Sequence, residues 1–261
     1  KRLQILPVIK QIDTLAGEFP SKTNYLYLTY NGTENDVVRG KNSVAVLGSG
    51  RDCIGSSVEF DWSSVQVLKT LAENEYETIM INSNPETVST DYDMSSRLYF
   101  EELSFERVLD IYEFEKPRGV VISTGGQIPN NLALPLHSRG VKILGTSPKN
   151  IDRAEDRHTF SKLLDRLQID QPLWVELTTH KAAACAASRI RYPVLVRPSY
   201  VLSGSAMSVA YNKASLLRFL KRATDISTDH PVVISKFIEN AREIEIDGVA
   251  AHGKLAIYAI T

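Results

Sequence analysis

The chain has very little cysteine: two in 261 residues, Cys53 and Cys185, far apart and in no paired motif. That excludes a disulfide framework and a cysteine-based zinc site, and it fits a reducing compartment. Net charge is also nearly absent, with 30 basic residues against 31 acidic ones. A nucleic-acid binder usually carries a clear basic excess, so no nucleic-acid partner is expected, although a local basic pocket for phosphate fits such a balance. No apolar run approaches the ~18 residues of a membrane helix, so no membrane partner is expected. Internal repeats and low-complexity segments are missing too. What is present is ordinary: 43% hydrophobic and 23% charged residues suffice for a packed core, and the length suits about two domains of ~100–200 residues. The chain starts at Lys1 without an initiator methionine or signal peptide and stops inside the apolar run Leu255–Ile260, so it reads as a piece of a longer chain.

Periodicity divides the chain. Ile5, Val8, Ile9, Ile12, Leu15 and Ala16 recur at helical spacing and Pro20 marks a stop, which predicts a helix at the start. Tyr25–Tyr30 is a strand or a packed arm, and Asn31–Asp36 with Gly40 reads as a linker. From Ser43 the pattern alternates. Strands are predicted at Val44–Leu47, Thr78–Ile81, Gly119–Ile122 and Val141–Leu144, with helices around Val58–Leu68, Phe105–Tyr112 and Leu132–Leu136. Short β-branched runs alternating with helices predict an α/β parallel sheet with right-handed crossovers, a Rossmann-like layer. A second, α+β unit follows Gly145–Pro148. It has helices at Ile151–Leu167, Ala182–Ile190 and Ala214–Ala223, and strands at Val194–Arg197, Met207–Ala210, Val232–Ile234 and Glu243–Val249.

Three places carry candidate chemistry. Gly48-Ser49-Gly50-Arg51-Asp52-Cys53-Ile54-Gly55 follows a strand and precedes a helix, where backbone N–H groups can meet an anion. Its spacing is not that of a dinucleotide fingerprint, and Ser56 stands where a P-loop needs lysine, so a plain strand-to-helix turn is an equal reading. Asn82–Asp91 and Gly125-Gly126-Gln127 end the next strands, at the carboxyl edge where open α/β sheets bind ligands; turn chemistry alone also explains them. The third place is stronger. Arg197 closes the apolar run Val194–Val196, where an arginine needs a partner, and the Ser/Gly stretch Pro198–Met207 follows. Such a hairpin can cover polyphosphate with backbone N–H groups while the arginine bridges its oxygens. Arg157, after Glu155-Asp156, is a second cation, whose plainer reading is an exposed ion pair. Val232–Glu239 can form an adenine slot, and Glu243, Glu245 and Asp247 alternate toward one strand face, where they are solvated, paired, or bound to ribose or cations.

At these residues a resemblance becomes specific. Val58–Trp62, Asn84–Asp93, Gly125–Gln127, Gly145–Pro148, Ile151–Arg157 and Arg197–Met207 resemble, in order, the carbamoyl-phosphate synthetase large chain, across essentially the whole sequence. Lys10–Ala16 is similar to the end of the helical oligomerisation domain that precedes the C-terminal, carbamoyl-phosphate half. Asn24–Tyr27 and Ser56-Ser57 resemble eukaryotic members more than bacterial ones.

The resemblance implies residues 1–40 as that helical segment and a linker, 41–150 as a pre-ATP-grasp domain, and 151–261 as the truncated front of an α+β ATP-grasp domain. It implies a ligase that uses ATP and Mg2+ to phosphorylate bicarbonate-derived carbamate, in pyrimidine or in arginine or urea synthesis. The implied partners are an N-terminal synthetase half and a glutaminase domain or subunit, within an oligomer that is cytoplasmic or, for one pathway, mitochondrial. Carried over by position, Arg157 and Arg197 contact ATP phosphates, with Arg197 stabilising the transition state. Ser203-Gly204 cover the phosphates, Lys236 and Ile238 line the adenine pocket, and Glu243 holds the ribose. The family's Mg2+ ligands fall beyond Thr261, so this chain alone is expected not to turn over. A nicotinamide dehydrogenase requires the missing fingerprint and an acidic residue where Asn82 stands. Another ATP-grasp ligase such as a biotin carboxylase shares the layout but not the quoted runs. A non-catalytic scaffold or regulatory fragment is the remaining alternative.

Overall fold

A computed structural model describes residues 5–20, 22–51, 58–177, 180–198, 207–226 and 232–261. They fall into two compact units, one ending at Leu163 and the other beginning at Leu164.

The first unit is a seven-stranded sheet. Its strands in chain order are β1 (Val8–Gln11), β2 (Tyr25–Thr29), β3 (Ser43–Leu47), β4 (Glu77–Asn82), β5 (Arg97–Phe100), β6 (Val120–Val121) and β7 (Ile143–Leu144). Their order across the sheet is β1-β2-β5-β4-β3-β6-β7. Only β1 and β2 pair antiparallel; every other neighbouring pair is parallel. Helix α1 (Val58–Glu73) joins β3 to β4, α2 (Phe105–Glu115) joins β5 to β6, and α3 (Gln127–Ser138) joins β6 to β7.

Alternation along the strands explains how both faces are covered. Ala45, Leu47, Ile79, Ile81 and Tyr99 point to one side, into a core with Val108, Leu109 and Ile111 of α2 and Leu136 of α3. Val46, Met80 and Leu98 point to the other, against Leu68 of α1. A parallel sheet buried on both faces needs such apolar runs. Ser104 starts α2 by accepting a hydrogen bond from the Arg107 N–H, and Ser147, followed by Pro148, starts α4 (Pro148–Glu155) in the same way. Asp156 then breaks the helix expected over Ile151–Leu167. Its carboxylate accepts the Thr159 N–H at 2.6 Å and begins α5 (Arg157–Arg166). Because α4 packs on α3 within the first unit, the structural division falls after the expected 150/151 boundary.

The helix expected at the start of the chain is a strand instead. Val8–Gln11 pairs with β2, and Ile9 is buried. Two local features oppose a helix there. Asp13 turns its carboxylate onto the Leu15 N–H, and Ala16 and Gly17 both take positive φ. The 31–36 stretch, expected as a linker, supplies the other side of β1. Asn35 accepts the Ile9 N–H at 2.8 Å, Asp36 accepts the Gln11 N–H at 3.0 Å and pairs with Lys10 at 2.7 Å.

The second unit holds an antiparallel sheet of β8 (Trp174–Leu177), β9 (Val194–Pro198), β10 (Ser208–Ala210) and β11 (Val232–Lys236), in the order β10-β9-β11-β8. Helices α6 (His180–Ile190) and α7 (Lys213–Ile226) cover one face, where Ala187, Ile190, Leu216 and Leu220 pack on Val194, Val196, Val232 and Ile234. A separate hairpin, β12 (Ile246–Ala251) and β13 (Lys254–Ile260), turns at His252 and Gly253, both with positive φ as a two-residue primed turn requires. Glu243 lies before this hairpin, so the expected strand from Glu243 with three carboxylates in a row is corrected. Mutual backbone hydrogen bonds set Thr261 opposite Glu245. No described helix is long and apolar enough to cross a membrane.

Candidate functional site

In the first unit, the chain runs from β3 to β4 over one sheet face and from β5 to β6 over the other. The carboxyl ends of β3 and β6 therefore flank the point where strand order reverses, the usual ligand crevice of such sheets. The loops read from sequence as candidates do meet there. A Cβ on Gly125 would lie 2.5 Å from the Gly48 carbonyl oxygen, so only glycine lets these two backbones touch. Gly126 has φ +79 and sits 2.8 Å, by the same measure, from the Phe60 ring.

The asparagines at this edge are held inward. Buried Asn82 accepts the Gly50 N–H at 3.0 Å and donates to Ser89 Oγ at 3.2 Å. Ser89 N–H in turn donates to Asp61 Oδ2 at 3.1 Å. Asn84 accepts the Glu86 N–H, and Thr90 donates its hydroxyl to the Asn84 and Thr87 carbonyls. Side-chain hydrogen bonds thus join the glycine turn, α1 and the 82–90 loop into one rigid edge. Asp61 was not singled out from sequence, and its only signal there is a carboxylate at a core-facing position of α1, in step with Val65 and Leu68.

In the second unit, strand register defines the site. Val194 and Val196 face the helices, so Leu195 and Arg197 face away from them. Arg197 pairs with Val233, which pairs on its other side with Glu176. Arg197 Nη2 donates to Ser235 Oγ at 3.2 Å, on the neighbouring strand. One sheet face therefore carries a guanidinium, a hydroxyl and a carboxylate over buried Val233, while the opposite face is sealed by α6 and α7. Glu176 was missed in sequence because β8 was not recognised. Lys236 ends β11 and donates its ammonium to the Arg191 and Tyr192 carbonyls at 3.1 and 3.0 Å. Ile238 follows, exposed, and Glu243 is exposed as well.

Arg157 opens α5 in the first unit, and burial lowers its pKa from the ordinary arginine value while the Glu155 charge raises it. Ser203 and Gly204 lie outside the described residues, as does most of the Pro198–Met207 stretch. Among the described residues no cluster of three or more His, Cys, Asp or Glu could hold a metal ion.

A doubly wound unit followed by an antiparallel sheet with Arg197, Ser235 and Glu176 on one face and helices on the other fits the ATP-grasp class of fold. Solved structures agree on this architecture. The biotin carboxylase domain of Hydrogenobacter thermophilus 2-oxoglutarate carboxylase superposes with a TM-score of 0.62 at 20% identity, over 77% of this chain and 45% of that one.

Within that class the chain belongs to the carbamoyl-phosphate synthase large-chain family, as a domain pair. Residues 40–153 match the family model of the carbamoyl phosphate synthase preATP-grasp domain, and 156–260 that of the carbamoyl-phosphate synthase L chain ATP binding domain. Multifunctional protein pyrABCN of Emericella nidulans is 57% identical over 98% of the chain, which spans 11% of that protein. The arginine-specific mitochondrial carbamoyl phosphate synthase large chain of Schizosaccharomyces pombe is 56% identical over the whole chain, which spans 22% of it.

Proposed function

We propose that this chain is the nucleotide-facing part of the C-terminal synthetase half of a eukaryotic-type carbamoyl-phosphate synthase, where ATP phosphorylates carbamate. The observation that carries this reading is the helix-free face of the second unit's sheet, with Arg197 steadied by Ser235 beside buried Val233. A guanidinium fixed at a strand end suits phosphate oxygens, and the apolar floor suits a purine. In the reaction a carboxylate oxygen of carbamate attacks the γ-phosphorus, the bond to the β-phosphate oxygen breaks, and ADP leaves with that electron pair. Such transfers depend on positioning and charge neutralisation more than on covalent help. Arg197 supplies positive charge to the phosphoryl oxygens. Lys236 acts indirectly: its ammonium holds the Arg191–Tyr192 turn, and the backbone and side chain around Ile238 meet the adenine, with Glu243 at the ribose.

Mg2+ belongs with the nucleotide, where it screens the phosphates and prefers oxygen ligands in an octahedron. No Mg2+ ligand is assigned to the described residues, which offer no acidic cluster for it. An N-terminal synthetase half and a glutaminase supply the carbamate.

Calorimetric titration with ATP and with NAD+ tests the class. Saturable heat with ATP and none with NAD+ is expected; the reverse pattern would point to a dehydrogenase.

A further inference from the structure

In the first unit, α1 and the loop after β4 line a cleft of about 630 Å3. Its apolar walls are open to solvent: Val58, Trp62 and Val88 are 89%, 65% and 52% exposed. Three large apolar side chains left uncovered around one concavity mark an interaction surface rather than scattered exposure. The charge there has one sign. Asp61, Glu86 and Asp91 line the cleft, and no basic residue among the described ones does.

The floor adds a second observation. Asp61 is only 6% exposed, and its Oδ2 accepts the Ser89 N–H. Its Oδ1 is buried and makes no hydrogen bond among the described residues. A buried carboxylate oxygen without a donor is costly, and native structures rarely leave one so. A donor entering between Trp62 and the loop relieves that cost.

We propose that this cleft is a docking site for a protein segment that presents an arginine side chain flanked by apolar residues. The planar guanidinium stacks on the Trp62 indole and brings N–H donors to Asp61, with Glu86 and Asp91 closing the charge from the rim. The apolar flanks cover Val58 and Val88. Aliphatic surface alone leaves three carboxylates unpaired, and an acidic segment is repelled by them. The site involves neither Arg197 nor the adenine-facing strand.

Fluorescence of Trp62 in a Trp174→Phe background tests this, since the chain has only two tryptophans. The titrants are acetyl-Leu-Arg-Leu amide, acetyl-Leu-Glu-Leu amide and butylguanidinium. A saturable change with the arginine peptide is expected, with the other two at least about tenfold weaker. Asp61→Asn and Glu86→Gln are each expected to weaken the arginine peptide several-fold, and added salt to do the same. Circular dichroism checks that Asp61→Asn folds; if it does not, exposed Glu86→Gln decides. No saturation, equal binding of the glutamate peptide, or affinity unchanged in the folded variants overturns the proposal. Butylguanidinium binding as tightly as the peptide overturns it in favour of a free-cation site.

Discussion

Glu115 shows what a single buried side chain does here. Its carboxylate is fully buried and accepts hydrogen bonds from the Tyr99 hydroxyl, from Arg97 Nη1 at 3.0 Å and from the Gly40 N–H at 3.2 Å. Burial first, and the Glu115 charge second, push the Tyr99 hydroxyl well above its ordinary range, so it stays a donor. Arg97 also donates to the Val38 carbonyl at 2.7 Å, so the cluster ties the 38–40 segment to the sheet. Glu115→Ala leaves the buried Tyr99 hydroxyl and one donor of the partly buried Arg97 guanidinium unmatched, and is expected to cost about 2–4 kcal/mol in urea denaturation. A loss under about 1 kcal/mol would mean the cluster is not cooperative. Glu101 behaves differently. Burial raises its pKa above the ordinary 4.5, opposed by the Leu28 N–H and Arg107. A carboxyl raised in the fold contributes most below that ordinary value, and the contribution is lost as pH rises through its folded pKa. The melting temperature of the wild type relative to Glu101→Gln is therefore expected to fall as pH rises above the ordinary carboxylate value. A flat difference contradicts the burial argument. At this scale Arg197 was legible because an arginine ending an apolar strand demands a partner. Its partner Ser235 was not legible, because it depends on how two strands distant in sequence align.

At the scale of elements, local chemistry was legible where each segment carries its own signal. The β-branched runs of β3, β4 and β11 gave strands, and Gly125-Gly126 marked the close approach at the carboxyl edge. The first segment misled because Val8, Ile9 and Ile12 fit helical spacing as well as a strand, and the choice was made by Asn35 and Asp36 pairing with β1 from far along the chain. β5 was missed since its apolar run, Leu98-Tyr99-Phe100, is only three residues between Arg97 and Glu101. Two substitutions probe these elements. Gly126→Ala places a methyl group at positive φ against the Phe60 ring, and is expected to lower stability by about 1–3 kcal/mol. Unchanged stability would mean that Phe60 yields freely. Asp156→Ala removes the cap that separates α4 from α5, with an expected loss of about 1 kcal/mol in thermal melts. No loss would mean that α5 starts without it.

At the scale of the molecule, composition argued against a disulfide framework, a membrane helix and a nucleic-acid binder, and alternation of strand and helix followed by denser strands foretold two units of different class. The doubly wound unit brings three loops to one edge and ties two of them, the glycine turn at Gly50 and the 82–90 loop, to α1 through Asn82, Ser89 and Asp61. The second unit closes one sheet face with helices and leaves Arg197, Ser235 and Glu176 on the other. That asymmetry follows from register and was hidden in the sequence, where Arg197 and Ser235 are separate motifs. The central claim is that this face binds the phosphates of ATP through Arg197. Calorimetric titration of MgATP into the wild type and Arg197→Ala tests it most directly, with circular dichroism confirming that both are folded. Saturable binding by the wild type, weakened at least about tenfold in the variant, is the result expected for loss of a charge-assisted phosphate contact. Equal affinity in the two folded proteins would contradict it.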